Sequence, residues 1–141
     1  SIVVVSMAIL DVVCTFEVEG VKEVALDEVN ERMLCISDHS LREYTLNGTL
    51  CRQMVVEFEL SSVCVVVGSG GLFSVYDRVI LCGCLDGRLL IVSVDSTTNA
   101  FAVRQQKHIC DGPILAVRFN KTMFSIKCKT CQMNQKKEED E

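Results

Sequence analysis

Short runs of apolar residues alternate with turn residues along most of the chain. Each run is roughly four to eight residues long, and none keeps the 3.6-residue period of an amphipathic helix for long. Runs of this length that are rich in Val, Ile and Leu and are bounded by Gly, Asn, Asp or Ser are typical of β-strands. The pattern predicts an all-β protein with strands at residues 2–5, 9–16, 21–26, 33–36, 41–46, 49–58, 63–67, 79–84, 88–94, 100–108, 113–119 and 123–128.

Turn residues join these strands into hairpins, and the order of strands and turns repeats. Asn47-Gly48 is a strong signal for a two-residue hairpin turn. Asp38 and Asp86 occupy corresponding turns and lie 48 positions apart, slightly more than the about 40–45 residues of a WD repeat. The glycine-rich residues 68–71 account for the excess. We therefore predict two related units of four strands, followed by a third that begins at residue 113.

Composition and charge exclude several classes of partner. Hydrophobic residues make up 49% of the 141 residues, which suffices for a packed core. The net charge is −5 and the basic residues are scattered, whereas nucleic-acid binding needs a concentrated basic patch. The longest apolar runs, residues 2–10 and 63–67, are far shorter than the ~20 residues of a membrane span. We expect a soluble chain that binds neither nucleic acid nor a membrane.

The nine cysteines are predicted to be reduced thiols of an intracellular protein, because their number is odd and no signal peptide precedes them. Cys82 and Cys84 should share one face of a strand and pack in the core. Cys128 and Cys131 form a CxxC pair, but a zinc site needs two further ligands. The nearest candidates, Cys110 and His108, lack the usual paired spacing. The chain also opens at Ser1 directly on an apolar run, so we expect it to be a piece of a longer polypeptide.

Two catalytic arrangements are conceivable and both are disfavoured. The glycines at residues 68–71 lack the Lys-Ser/Thr of a phosphate-binding loop. Ser61 or Ser62 could form a triad with His39 or His108, but neither serine lies in a recognisable nucleophile elbow. We therefore predict a protein that is not an enzyme and that has no cofactor, no metal and no small-molecule substrate.

One segment resembles a WD repeat. It is His108-Ile109-Cys110-Asp111-Gly112-Pro113-Ile114, which is similar to the element that precedes the innermost strand of such a repeat. In that family a His and an Asp brace each blade through hydrogen bonds. The Trp-Asp dipeptide is missing, so the blades are degenerate. The resemblance implies a partial WD40-type β-propeller, about three blades of four-stranded antiparallel sheet within a larger protein. Its structural blade motif would comprise Asp38, Asp86, Gly87, His108, Gly112 and Pro113.

The resemblance also implies boundaries along the chain. We expect the end of one blade at residues 1–20, a WD-like blade at 21–59 and a second at 60–110. A further incomplete blade would begin at 111–132, and the charged tail at 133–141 would be a possible start of a coiled coil.

A more specific resemblance lies in Ser37-Asp38-His39-Ser40-Leu41-Arg42-Glu43-Tyr44, which is similar to the segment SDHTLKEI of a cilia- and flagella-associated WD-repeat family. It extends through residues 21–120. It implies a non-catalytic scaffold of the axoneme, in the cytoplasm and cytoskeleton of a cilium or flagellum. The implied partners are inner dynein arms, their regulatory complex, components of the doublet microtubules and the remaining blades of its own propeller. The alternative is a propeller adaptor in intracellular trafficking or another large complex.

Overall fold

The computed structural model describes residues 2–6, 11–67, 78–120 and 123–128. The regular structure of these residues consists of β-strands alone, so none of them belongs to a helix that could cross a membrane. The strands are β1 (Ile2–Ser6), β2 (Asp11–Phe16), β3 (Glu23–Asp27), β4 (Arg32–Ile36), β5 (Ser40–Thr45), β6 (Leu50–Val55), β7 (Leu60–Val67), β8 (Arg78–Cys84), β9 (Arg88–Val94), β10 (Phe101–His108), β11 (Ile114–Asn120) and β12 (Met123–Cys128).

Two four-stranded antiparallel sheets form the body of the molecule. One has the order β3-β4-β5-β6 and the other β7-β8-β9-β10, while β1–β2 and β11–β12 are two-stranded sheets. We call the two four-stranded sheets the first blade and the second blade. The all-β fold with four-stranded antiparallel units is confirmed. Within the described residues two of these units have four strands, and a two-stranded sheet precedes and follows them in the chain.

The sheets stack face to face with their strands in the same order. The first strands lie side by side, since β3 contacts β7 and β7 contacts β11, and the last strands β6 and β10 also meet. First strands therefore run along one edge of the stack and fourth strands along the other. This is how blades are arranged around a propeller axis.

The middle strands are buried on both faces because a neighbouring sheet covers each side. In β8, Ile80, Cys82 and Cys84 face the first blade, whereas Val79 and Leu81 face the side of β11. The alternation is that of any β-strand. The prediction that Cys82 and Cys84 share a core-facing side is confirmed.

Close packing and buried polar contacts hold β11 against the second blade. A Cβ at Gly83 would lie 2.5 Å from Cγ2 of Ile114, so the absence of a side chain on β8 lets β11 approach. The hydroxyl of Ser62 donates to Oε1 of Glu23 at 3.3 Å and accepts from the backbone N–H of Val117 at 3.1 Å. This three-strand clasp of Glu23, Ser62 and Val117 links the first strands β3, β7 and β11.

Candidate functional site

Asp38 and Asp86 lie in equivalent turns, between the two middle strands of the first and the second blade. Oδ1 of Asp38 is 3.2 Å from Nζ of Lys22, and its side chain is 73% exposed. Asp86 accepts from the backbone N–H of Arg88 at 3.1 Å and pairs with Nε of Arg88 at 3.0 Å. Asp86 therefore caps its own turn, whereas Asp38 pairs with Lys22, which precedes β3.

His108 also has a local partner. Its Nε2 lies 3.1 Å from Oδ1 of Asp111, and both side chains are more than half exposed. The described contacts of Asp38, Asp86 and His108 thus go to different residues, and the structure does not bring these three into one network.

The structure does bring Gly87 to the segment that leads into β11. The carbonyl of Gly87 accepts from the N–H groups of Ile109, at 2.9 Å, and Cys110, at 3.3 Å. The thiol of Cys110 donates to the carbonyl of Gly112 at 3.4 Å. Pro113 follows, half-buried, directly before β11. The turn that contains Gly87 is thus hydrogen-bonded to the segment between β10 and β11, which contains Gly112 and Pro113.

The serines and histidines of the disfavoured triad are used elsewhere. Ser61 donates to the carbonyl of Ile114 at 2.6 Å, and Ser62 belongs to the three-strand clasp. Nδ1 of His39 is 3.1 Å from the carbonyl oxygen of Phe58. These contacts are structural ones.

Most of the described cysteines are buried in the fold. Five of the described cysteines are free thiols: Cys35, Cys51, Cys64, Cys82 and Cys84. Cys110 and Cys128 are buried in the same apolar cluster, although far apart in sequence. Within the described part of the chain, no three His, Cys, Asp or Glu side chains are grouped so that they could hold a metal ion. Cys131, residues 68–71 and the tail at 133–141 lie outside the described residues.

A buried ionic network between the two blades was not predicted from the sequence. Glu43, on β5 of the first blade, is fully buried. Its Oε2 lies 2.5 Å from Nη2 of Arg78, and its Oε1 contacts Nη1 of Arg52. Nε of Arg78 is 2.6 Å from Oδ2 of Asp27, which is also buried. We call Asp27, Glu43, Arg52 and Arg78 the inter-blade ionic network.

The network balances two buried carboxylates against two guanidinium groups. Nε and Nη2 of Arg78 have no aligned hydrogen-bond acceptor among the described residues, so charge attraction holds these pairs. Arg52 is fixed on its other side, because Nη2 donates to Oδ1 of Asn99 at 3.1 Å. Removing one partner of a buried ion pair costs about 3–5 kcal/mol, because the other charge stays buried. The network therefore fixes how the first blade meets the second.

An open groove of about 680 Å³ lies above this network. The network residues Glu43, Arg52 and Arg78 form part of its lining. Two more arginines, Arg32 on β4 and Arg104 on β10, also line it. The remaining lining residues are Val29, Asn30, Val67, Ser93, Val94 and Ser96. This inter-blade groove is the candidate site of the molecule.

One signal in the sequence could have revealed the network. Along β5, Leu41 and Glu43 are two positions apart and therefore point to the same face. Leu41 is fully buried in the core between the blades, so a carboxylate at position 43 requires a buried cation. Which cation could not be read from the sequence, because Arg78 is 35 positions away and reaches Glu43 only through the stacking of the blades.

Comparison with known proteins shows the fold. No protein family matches the sequence, and no curated protein is significantly similar to it. The crystal structure of BBS1N in complex with ARL6DN, soaked with lead, matches with a TM-score of 0.56 and 9% identity, over 78% of this chain and 34% of that chain. BBS1N is a WD40-like β-propeller. This chain has the fold of a partial β-propeller.

A second solved structure is the β-propeller domain of Myceliophteria thermophila Cps50 (Swd1). It matches with a TM-score of 0.47 and 11% identity, over 90% of this chain and 55% of that chain. The chain therefore spans about a third of the first solved structure and just over half of the second.

Proposed function

We propose that this chain is part of a non-catalytic β-propeller that binds other proteins as a scaffold or adaptor. The observation that carries the proposal is the stacking of two rigid blades with a solvent-open groove between them. The serines and histidines that could have served a hydrolase make structural contacts instead. Rigid sheets that present fixed turns and grooves are suited to holding partner proteins. BBS1N, whose fold is similar, was solved in complex with ARL6DN.

We further propose the axoneme of a cilium or flagellum as its location, with inner dynein arms and their regulatory complex on doublet microtubules as partners. The support is the resemblance of residues 37–44 to the cilia- and flagella-associated WD-repeat family. The alternative is an adaptor in intracellular trafficking or another large complex. The likeness to BBS1N supports protein binding in either setting.

The test uses the intact protein that contains these residues, tagged at its own locus in ciliated cells. Imaging would locate it, and proximity labelling followed by mass spectrometry would identify its neighbours. We expect labelling along the axoneme and enrichment of inner-arm dynein and regulatory-complex subunits. Enrichment of vesicle-coat or cargo-transport subunits would replace the axonemal proposal by the adaptor. A protein with no stable protein neighbour would contradict both.

A further inference from the structure

The inter-blade groove carries more positive than negative charge. Four guanidinium groups line it, from Arg32, Arg52, Arg78 and Arg104, and one carboxylate, Glu43. Asp27 and Asp95 pair with Arg78 and Arg104 from beside the groove, at 2.6 and 3.6 Å. Among the described residues, three carboxylates thus face four arginines, in a chain whose net charge is −5. The groove is a local cationic site on an acidic protein.

The four arginines differ in the groups that they contact. Arg52 and Arg78 lie at the base of the inter-blade groove, where they neutralise the buried carboxylates of the inter-blade ionic network. Arg32, on the rim, donates from Nη1 to the carbonyl oxygens of Asn30 and Glu31, each at 3.2 Å. Among the described residues no carboxylate pairs with Arg32. A guanidinium has five N–H donors, so Arg32 keeps capacity to bind an anion.

Arg104 lies on the opposite blade and is held in a fixed orientation. Its Nε donates to the hydroxyl of Ser93 at 2.7 Å, and its Nη2 is 3.6 Å from Oδ2 of Asp95. The backbone N–H groups of Thr97 and Thr98 lower the pKa of Asp95. Asp95 therefore remains ionised and holds Arg104 against β9.

We propose that the inter-blade groove binds an acidic peptide segment of a partner protein. This inference rests on the proposed function and names the chemistry of the partner. Planar guanidinium groups bind carboxylates in a bidentate manner, and arginine clusters are a recurring means of recognising acidic motifs. The size and the mixed lining favour a peptide over a small anion. The groove measures about 680 Å³ and is lined in part by Val29, Val67 and Val94, which fit the aliphatic parts of a peptide.

The test measures binding of a fluorescent polyglutamate peptide to the intact protein by fluorescence anisotropy. Polyglutamine serves as the neutral probe, and inorganic phosphate as the small-anion competitor. We expect polyglutamate to bind and polyglutamine not to bind. Affinity should fall between roughly 0.05 M and 0.5 M salt, because the screening length shortens from about 14 Å to about 4 Å. Equal binding of both peptides, or a phosphate affinity equal to that of polyglutamate, would overturn the proposal.

Variants locate the binding to the groove. Arg32→Gln together with Arg104→Gln should weaken polyglutamate binding by about tenfold or more, because each removes a charge-assisted contact. The matched control is Lys107→Gln, which removes an exposed charge from the same strand as Arg104 but does not line the groove. A loss in the control equal to that in the double variant would overturn the assignment.

A second pair of variants does not depend on how well the double variant folds. Ser96 is exposed in the turn between β9 and β10 and lines the groove. Ser96→Glu should weaken polyglutamate binding and Ser96→Lys should strengthen it, and a general loss of structure cannot produce opposite effects. Equal affinities of these two variants would overturn the inference. If the protein still assembled with its neighbours in that case, the scaffold proposal would stand without the acidic peptide.

Discussion

At the scale of single residues, Gly87 has the tightest surroundings of the described glycines. Its φ is +89°, in the left-handed region that side chains rarely allow. A Cβ there would lie 1.7 Å from the carbonyl oxygen of Cys110. Because the obstacle is backbone, a substitution must move the turn or the segment that follows β10. Gly87 thus fixes the start of the connection between the second blade and β11.

We expect Gly87→Ala to lower the free energy of unfolding of the second blade by roughly 2–4 kcal/mol, from the left-handed strain and the overlap together. Denaturant-dependent hydrogen exchange of the β8 and β9 amides in the intact protein would measure this loss. The matched control is Gly20→Ala. Gly20 has a φ of +66°, but its Cβ would come no nearer than 4.0 Å to any described residue other than its chain neighbours. That change should cost about 1 kcal/mol. Equal losses of stability in Gly87→Ala and Gly20→Ala would show that the overlap with the Cys110 carbonyl does not destabilise the protein.

The buried thiols make stability depend on pH. Desolvation by burial raises the pKa of Cys35 to about 11 and that of Cys84 to about 12, against 9.0 for a free thiol. Burial also raises the pKa of Cys82, and the neighbouring Cys84 adds to this. Above pH 9 the unfolded chain releases these protons while the folded chain keeps them. Their stabilisation is therefore complete below pH 9 and is lost as the pH rises towards 11 to 12.

We expect the denaturation midpoint of the intact protein to fall between about pH 8 and pH 10. The variant Cys35→Ala/Cys84→Ala removes two of the thiols and should show a smaller fall over the same interval. Both proteins contain the same lysines and tyrosines, so the ionisation of these residues does not contribute to the difference between the two midpoints. A variant whose midpoint fell as steeply as that of the natural sequence would contradict the assignment.

At the scale of elements, the strand pattern was predictable where burial and hydrophobicity coincide. The predicted strand at 88–94 is β9, and the predicted hairpin at Asn47-Gly48 joins β5 to β6. The strand predicted at 63–67 in fact begins at Leu60. Ser61 and Ser62 look like turn residues, but their hydroxyls make contacts across strands, and Ser62 is fully buried. Hydrophobic periodicity cannot detect a buried serine.

The strand predicted at 49–58 ends at Val55, because hydrogen bonds to residues distant in sequence redirect the chain after it. The N–H of Val56 donates to the carbonyl of His39, and the N–H of Leu60 to that of Asp38. The chain between them therefore turns back across the β4–β5 connection to enter the next blade. These hydrogen bonds join residues far apart in sequence, as do the pairs of the inter-blade ionic network. The turn residues Asp38, Asp86 and Gly87 were predictable from local chemistry. For the network, the position of Glu43 indicates only that a buried cation is needed, and its identity depends on how the blades stack.

The three-strand clasp gives a prediction for β11. Ser62→Ala removes the acceptor of the buried N–H of Val117 and the hydroxyl that donates to Glu23. An unpaired buried N–H costs about 1–3 kcal/mol. We expect a loss of that size in the free energy of unfolding, with faster hydrogen exchange at Val117. The exposed Ser96→Ala should change stability by less than about 0.5 kcal/mol. An unchanged exchange rate at Val117 in Ser62→Ala would contradict the clasp.

At the scale of the whole molecule, the described sheets leave one face of β3, the first strand of the first blade, partly exposed. On β3, Ala25 packs towards the second blade, whereas Val24 and Leu26 are 40% and 53% exposed. Ile2 and Val4 of β1 pack against the middle strands of the first blade, near Met33 and Tyr44. In a propeller the face of β3 would be covered by the first strand of another blade.

We therefore predict that residues 1–141 alone self-associate and unfold without a sharp transition. Burial of apolar surface contributes ~25 cal/mol per Å², so an uncovered face of a few hundred Å² forgoes several kcal/mol. That is comparable with the about 5–15 kcal/mol that stabilises a whole domain. Sedimentation and thermal unfolding of the isolated chain would measure the effect. Val24→Thr/Leu26→Thr should reduce the association, and Val103→Thr, on the exposed outer strand β10, should not. A soluble monomer with a cooperative transition would instead mean that these residues form a small closed β domain, stable without further blades.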